Sequence, residues 1–334
     1  MAIFATFLVT QLDLLILFDT VKVTRLIERM AVKTRKRYLM SLFRDVFSRY
    51  IIKPCVTIAK SCLPFDVYKS VRYTVIHAYY FKKVSNKGFV IKKQKDGIYV
   101  SGNGINVFGL NANIIMHVNN IMIEDCYRFD NLHNEKWSVL DIGMNMGVAS
   151  LHFAQNPNIN TIYSYEPFVP TYNLGIQNLE SNPEIARKII PHNYGLSDKY
   201  AVMELPYDIE ISGCCSSIPE KQNKFIGKNK RMMEKICTFS AADELKRILN
   251  TDKNNIMLKI DCEGAEREII SDLYKNKLLS SVQAIAMEYH DGIYKPLIDM
   301  IKESGFSVSY KASKINNSTG MIYAYNLDHH IRSV

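Results

Sequence analysis

The stretch that most constrains this chain is 138–147, S-V-L-D-I-G-M-N-M-G. Val139 and Leu140 run into Asp141, Gly143 and Gly147 bracket Asn145, and Val148 to Phe153 continue with helical spacing. A short buried strand, a glycine turn and a helix make the ligand-side corner of an open α/β sheet. Gly143 suits a backbone that turns sharply, and Gly147 lets the helix begin close to a bound group. The spacing is D-x-G-x-N-x-G rather than the G-x-G-x-x-G of dinucleotide-binding turns, because the acid stands ahead of the first glycine.

The rest of the chain alternates strand and helix. Residues 161–165 read as a second strand ending at Glu166-Pro167, and 189–194 as a third that runs into Gly195-Leu196-Ser197-Asp198. A fourth is 257–261, followed by Cys262-Glu263-Gly264-Ala265-Glu266, and a fifth is 282–287, followed by Glu288-Tyr289-His290-Asp291. A helix over 292–304 and a terminal pair, 306–310 with 320–325, complete a doubly wound, mostly parallel sheet closed by an antiparallel hairpin. Strands at 201–205 and 235–239 flank a polar insertion, 219–231. Ser240 opens a helix through Leu249, although Glu244 stands four residues on and misses the capping-box spacing.

Ahead of the glycine turn, the spacing predicts strands over 89–92, 98–100 and 105–108, joined by Asp96-Gly97 and Gly102-Asn103-Gly104 hairpin signals. These are expected to form an edge or lid over the ligand crevice, with a helix over 111–127 behind them. Residues 38–85 read as helical, with Tyr79, Tyr80 and Phe81 in a core. The chain therefore divides into a helical basic extension (1–85), a β-rich lead-in with one helix (86–137) and an α/β domain (138–334).

Charge is unevenly distributed. Residues 1–100 hold 19 Lys and Arg against 6 Asp and Glu, whereas the rest of the chain holds 23 against 27. Met1 to Phe18 form an apolar stretch interrupted by Gln11 and Asp13, without the basic start and cleavage site of a secretory signal. Seven Lys and Arg follow between Lys22 and Arg37. An apolar helix backed by such a cluster suits an anionic membrane surface; a helix packed on the core or in an oligomer contact is the alternative. The seven cysteines (55, 62, 126, 214, 215, 237 and 262) contain no C-x-x-C pair, which fits a reduced, cytoplasmic protein, peripherally attached if the membrane reading holds.

Three strand ends carry the chemistry. Glu166 lies at the end of the second strand, where an acid accepts two hydrogen bonds from a ribose diol. Asn193 or Asp198, near the end of the third, is placed to read an adenine edge. Asp261, Glu263 and Glu266 crowd three carboxylates into six positions, which repel one another unless a cation lies among them. No Lys or Arg occurs between Ser138 and Pro170, in keeping with a cofactor that itself carries positive charge, such as a sulfonium.

Taken together, V-L-D-I-G-M-N-M-G (139–147), Y-S-Y-E-P (163–167), N-Y-G-L-S-D (193–198), K-I-D-C-E-G-A-E (259–266) and E-Y-H (288–290) resemble the FkbM family of methyltransferases. The likeness covers roughly 138–326. It implies a Rossmann-like methyltransferase fold that uses S-adenosyl-L-methionine, and O-methylation of a hydroxyl on a sugar, glycan or related small molecule. On that resemblance Asp141, Gly143, Asn145 and Gly147 surround the methionine part of the cofactor, and Glu166 takes the ribose. Asp261 and Glu263 face the methyl. His290 is the first choice of general base, since its ordinary pKa of about 6.5 leaves it mostly neutral at pH 7; Asp261 is the second. No metal is assigned, although Asp261, Glu288 and His290 or Asp291 have the chemistry to hold Mg²⁺ against a diol. Met144 stands where the family usually has a small residue. A cofactor-binding adaptor without catalysis, and an RNA methyltransferase using the basic N-terminal third, are the alternatives; nucleic acid is otherwise not expected as a partner.

Overall fold

The computed structural model describes residues 76–129, 135–208, 232–290, 292, 294–313 and 318–326. Met1 to Phe18, the basic cluster up to Arg37, Cys55, Cys62, Cys214, Cys215, the 219–231 insertion and Asp291 lie outside these residues. The chain divides into two compact units, Met1–Tyr79 and Tyr80–Val334. Of the first, only residues 76–79 are described, and they are helical.

The second unit is organised by seven strands: β4 (Trp137–Ile142), β5 (Ile159–Tyr165), β6 (Ile189–His192), β10 (Asn255–Ile260), β11 (Ala284–Tyr289), β12 (Phe306–Ala312) and β13 (Gly320–Asn326). Their order across the sheet is β12-β13-β11-β10-β4-β5-β6. β4 pairs parallel with both β10 and β5, while β13 enters antiparallel between β11 and β12. Every residue of β4 is buried, as a central strand covered on both faces requires. Two apolar clusters cover those faces, one around Val139, Leu151 and Ile162, the other around Leu140, Leu258 and Ile269.

Register has a chemical consequence here. Asp141 of β4 lies directly opposite Lys259 of β10, so their side chains leave the same face. The chain builds outward from β4 first toward β6 and later toward β12, and this reversal opens a crevice at the strand ends, where Gly143, Glu166 and Asp261 emerge. This is the doubly wound sheet with an antiparallel hairpin that the sequence implies.

β1 (Val90–Lys93), β2 (Ile98–Gly102) and β3 (Ile105–Gly109) form a separate antiparallel sheet. It does not cover the crevice. The Asn178 amide, wholly buried, accepts from Phe108 N–H at 2.6 Å and donates to Phe108 carbonyl at 3.0 Å. Asn182 repeats the arrangement at Asn106, at 2.8 and 2.6 Å. Two side-chain amides thus satisfy one edge of β3 as a neighbouring strand would and dock the sheet on helix Val169–Glu180. The small sheet shares its apolar core with the glycine-turn face of the large one.

The helix expected over 111–127 is shorter and changes pitch: Asn113–His117 is α-helical and Val118–Ile123 π-helical. Phe81 is 48% exposed, and the buried apolar residue of its helix is Val84. A third sheet contains β7 (Gly195–Ser197), β8 (Ala201–Tyr207) and β9 (Met232–Ser240), in the order β7-β9-β8. The Ser240 hydroxyl caps the next helix by accepting from Asp243 N–H at 3.1 Å. Cys126, Cys237 and Cys262 are free thiols. Among the described residues no helix is long and apolar enough to cross a membrane.

Candidate functional site

The glycine turn is held by backbone. Gly143 and Met144 both donate to the Tyr165 carbonyl, at 3.0 and 2.8 Å, which ties the turn to the end of β5. Gly143 has φ +86°, and a Cβ there would lie 1.8 Å from the Asp261 carbonyl oxygen. Only glycine fits, because the turn passes against the backbone leaving β10. Asn145 is also left-handed, at φ +51°, and its side chain accepts from Met146 N–H at 2.8 Å. Met144 is 1% exposed and points into the body, where its Cε would be 2.6 Å from a Cβ on Gly175. The absent side chain of Gly175 accommodates the bulk at Met144, so this residue does not narrow the crevice.

A cavity of about 300 Å³ opens beside the turn, and Gly143, Asn145, Glu166, Asp261 and Glu263 all line it. Glu166 is 6% exposed. Its two oxygens accept from Asn145 N–H at 3.0 Å and Phe168 N–H at 3.1 Å. Burial pushes its carboxyl up to about 7, and those two N–H groups oppose the shift. The far wall is apolar: Phe168, Leu196, Met203, Leu205 and Ile236. Three of these belong to β8 and β9, a contribution the sequence did not announce, because a half-buried hairpin has no ligand-specific pattern.

Asp141 does not face the cavity. It is fully buried, with Oδ1 2.9 Å from Lys259 Nζ and Oδ2 accepting from the Ser150 hydroxyl at 2.5 Å. Lys259, 2% exposed, also donates to the Gly143 carbonyl at 2.5 Å. Burial works against its charge, but Asp141 and then Asp261 outweigh that and hold the amine protonated. The acid of the glycine motif therefore acts behind the turn rather than on a ligand. Asn193 likewise braces backbone, donating to the Glu166 carbonyl at 2.9 Å. Asp198 is exposed and lies outside the lining; its neighbour Ser197 is the residue that reaches the cavity.

Asp261 and Glu263 of the lining belong to an ionisable cluster whose other members, Tyr127, Glu266, Glu288 and His290, lie outside that lining. Asp261 Oδ2 accepts from the Tyr127 hydroxyl at 2.5 Å. Burial alone would raise this carboxyl, but Lys259, His290 and the Tyr127 hydrogen bond keep it below its ordinary range. Glu263 sits in a left-handed turn at φ +53°. His290 places Nδ1 2.8 Å from Glu266 Oε1 and Nε2 3.3 Å from Glu263 Oε2. Burial favours its neutral form, but the Glu266 hydrogen bond and the Glu263 charge overcome it and carry the imidazole up to about 10. His290 is thus a cation at pH 7, not the neutral base expected from its ordinary value. Glu288 is pushed up to about 8 by burial and then by Asp261.

The neutral imidazole at the cavity is His117, which no sequence pattern singled out. Burial holds it below its ordinary value despite the opposing charge of Asp261. Among the described residues no hydrogen bond engages its ring. It stands where the α-helix passes into the π-helical turn, a local widening that often marks functional positions.

No family model matches the chain. Over 211 residues it is 24% identical to "Methyltransferase sdnD" of Sordaria araneosa, covering 57% of this chain and 80% of that relative. Among solved structures it is similar to methyltransferase FkbM from Methylobacillus flagellatus KT, with 12% identity and a TM-score of 0.40. That match covers 64% of this chain and only 54% of the other, so the chain spans about half of that structure's length. M. jannaschii TYW2, solved in complex with AdoMet, matches at 12% identity and a TM-score of 0.35, covering 70% and 87%. By its strand order and by its sequence relative, this chain has the Rossmann-like fold of methyltransferases and is similar to them.

Proposed function

We propose that this chain is an S-adenosyl-L-methionine-dependent methyltransferase acting on a hydroxyl oxygen of a sugar, glycan or related small molecule. One observation carries the reading: the glycine turn, a buried acid at the end of β5 and the carboxylates after β10 line one cavity. The residues fit the cofactor. Glu166 offers a carboxylate to a ribose diol, and Phe168, Met203 and Ile236 offer an apolar wall to a purine. When bound, the cofactor supplies a methyl group on a positively charged sulfur, activated for displacement.

The chain's own residues then have separate tasks. The glycine turn and Glu166 fix the ligand's position, which reduces the entropy lost on alignment. Asp261 and Glu263 place negative charge at the same end of the cavity as the acceptor in this reading. His117 is the proton acceptor, because an alcohol is a poor nucleophile until it loses its proton and His290 already holds one. Residues 1–37 are read as an anionic-membrane contact, testable by co-sedimentation of the full-length protein with anionic vesicles.

S-adenosylhomocysteine should raise the melting temperature and NAD should not; the opposite pattern would end the cofactor assignment. With labelled cofactor and an acceptor found by screening glycans, lipids and RNA, His117→Ala should lower turnover by about 10²–10⁴-fold. Its affinity for S-adenosylhomocysteine should not change. Turnover equal to wild type would remove His117 from the reaction, and transfer to RNA alone would replace the acceptor class.

A further inference from the structure

Asp261, Glu263 and His290 come from three separate backbone positions: just past β10, the left-handed turn that follows, and just past β11. One donor atom from each lies within 4.8 Å of the other two. Two donors bound at about 2.1–2.4 Å to one ion are at most about 4–5 Å apart, so these atoms already fall within a single cation's reach.

The imidazole is oriented as a ligand would be. Its Nδ1 is engaged by Glu266, which is 3% exposed and is itself fixed by accepting from Gly264 N–H at 3.0 Å. Nε2 faces the Glu263 carboxylate, and coordination of an ion there would release the proton this nitrogen otherwise holds. A carboxylate behind one ring nitrogen, with the other turned toward acidic oxygens, is the outer arrangement that fixes metal-bound histidines. Asp261 is oriented in the same way by Tyr127. Lys259, the buried amine behind the turn, is committed to Asp141 and the Gly143 carbonyl. Asp261 and Glu263 also line the cavity, so an ion between them would be reachable from it.

We propose that Asp261, Glu263 and His290 form a divalent-cation site at the acceptor end of the cavity. Two carboxylates and one imidazole suit a hard-to-borderline ion of the Mn²⁺ type. Three protein donors leave coordination positions for oxygens of an acceptor, whose hydroxyl the ion would polarise. That role rests on the methyl-transfer reading; the site itself does not.

The test uses the full-length protein after chelator treatment. Titration with MnCl₂, followed by loss of the free-ion paramagnetic signal and by calorimetry, should show one Mn²⁺ per chain, with MgCl₂ and ZnCl₂ run in parallel. Asp261→Asn, Glu263→Gln and His290→Gln should each abolish saturable uptake. Glu266→Gln keeps every donor and should weaken binding by about 10–100-fold. Cooperative thermal unfolding of each variant, read by circular dichroism without any ligand, shows that it folds, and the S-adenosylhomocysteine shift of the wild type tests the cofactor reading separately. Failure of the wild type to bind any of the three ions at millimolar concentration overturns the site, as does wild-type binding by Asp261→Asn and His290→Gln. Ion uptake without methyl transfer to any acceptor would leave the site standing and remove its proposed role.

Discussion

The glycine turn and the acidic cluster differ in what holds them. At the glycine turn, the contacts are backbone N–H groups, a left-handed backbone and one buried lysine behind it. In the acidic cluster, side chains from the turn after β10, from the end of β11 and from Tyr127 meet through charges whose protonation depends on one another. The first is a matter of shape and tolerates almost no substitution. The second is a matter of electrostatics, and its state changes with pH and with any bound cation.

The sharpest test of that contrast removes the charge hidden behind the turn. Lys259→Met leaves Asp141 buried without its partner and should destabilise the protein by about 3–5 kcal/mol, read by denaturant unfolding. Pairing it with Asp141→Asn should restore part of the loss. A loss below about 1 kcal/mol would mean that the turn is not held by this ion pair. Gly143→Ala should cost somewhat less, about 2–4 kcal/mol, from a strained φ together with the clash against the Asp261 carbonyl. A near-neutral effect would show that the turn relaxes, and that the glycine-turn end is softer than its geometry implies.

The smallest expected effect concerns Glu166, where shape and charge meet. Its carboxyl is raised to about 7. Ionised, it accepts two charge-assisted hydrogen bonds from a ribose diol; protonated, one oxygen becomes a donor and the remaining acceptance is weaker. S-adenosylhomocysteine affinity should therefore fall about tenfold between about pH 8 and about pH 6, equivalent to about 1.4 kcal/mol. Stability of the ligand-free protein runs the other way. A carboxyl raised in the folded state contributes stability that is fully present below its unfolded pKa and is lost as the pH rises through about 7. Glu166→Gln should flatten the binding profile. A profile unchanged by that variant would assign the titration to another group.

Much of the fold was legible because its signals are local. Apolar runs ending in Asp141, Glu166, Asp261 and Glu288 mark strands whose ends share one edge of a parallel sheet, and the glycines mark the turn. Side-chain direction was not legible. Asp141 carries the motif's first acid, yet the parallel register with Lys259 turns it inward. His290 looked like a base because sequence shows the histidine and not the two carboxylates that hold its proton. His117 gave no signal, since it reaches the cavity only through a helix ahead of the motif. Met144 departed from the resembling family, and its compensation at Gly175 requires knowledge of which helix packs beneath the turn.

The bond from Lys259 to the Gly143 carbonyl joins residues 116 positions apart. On the ribosome, at about 5–20 residues per second, the turn is made roughly 6–23 seconds before the amine that secures it. Through that interval the emerging chain carries the glycine segment without β10 beside it, and the Asp141 carboxylate without its counter-charge. A cofactor present during synthesis therefore meets no finished pocket on the first half of the sheet. The pocket is complete only once β10, from late in the chain, has paired with β4.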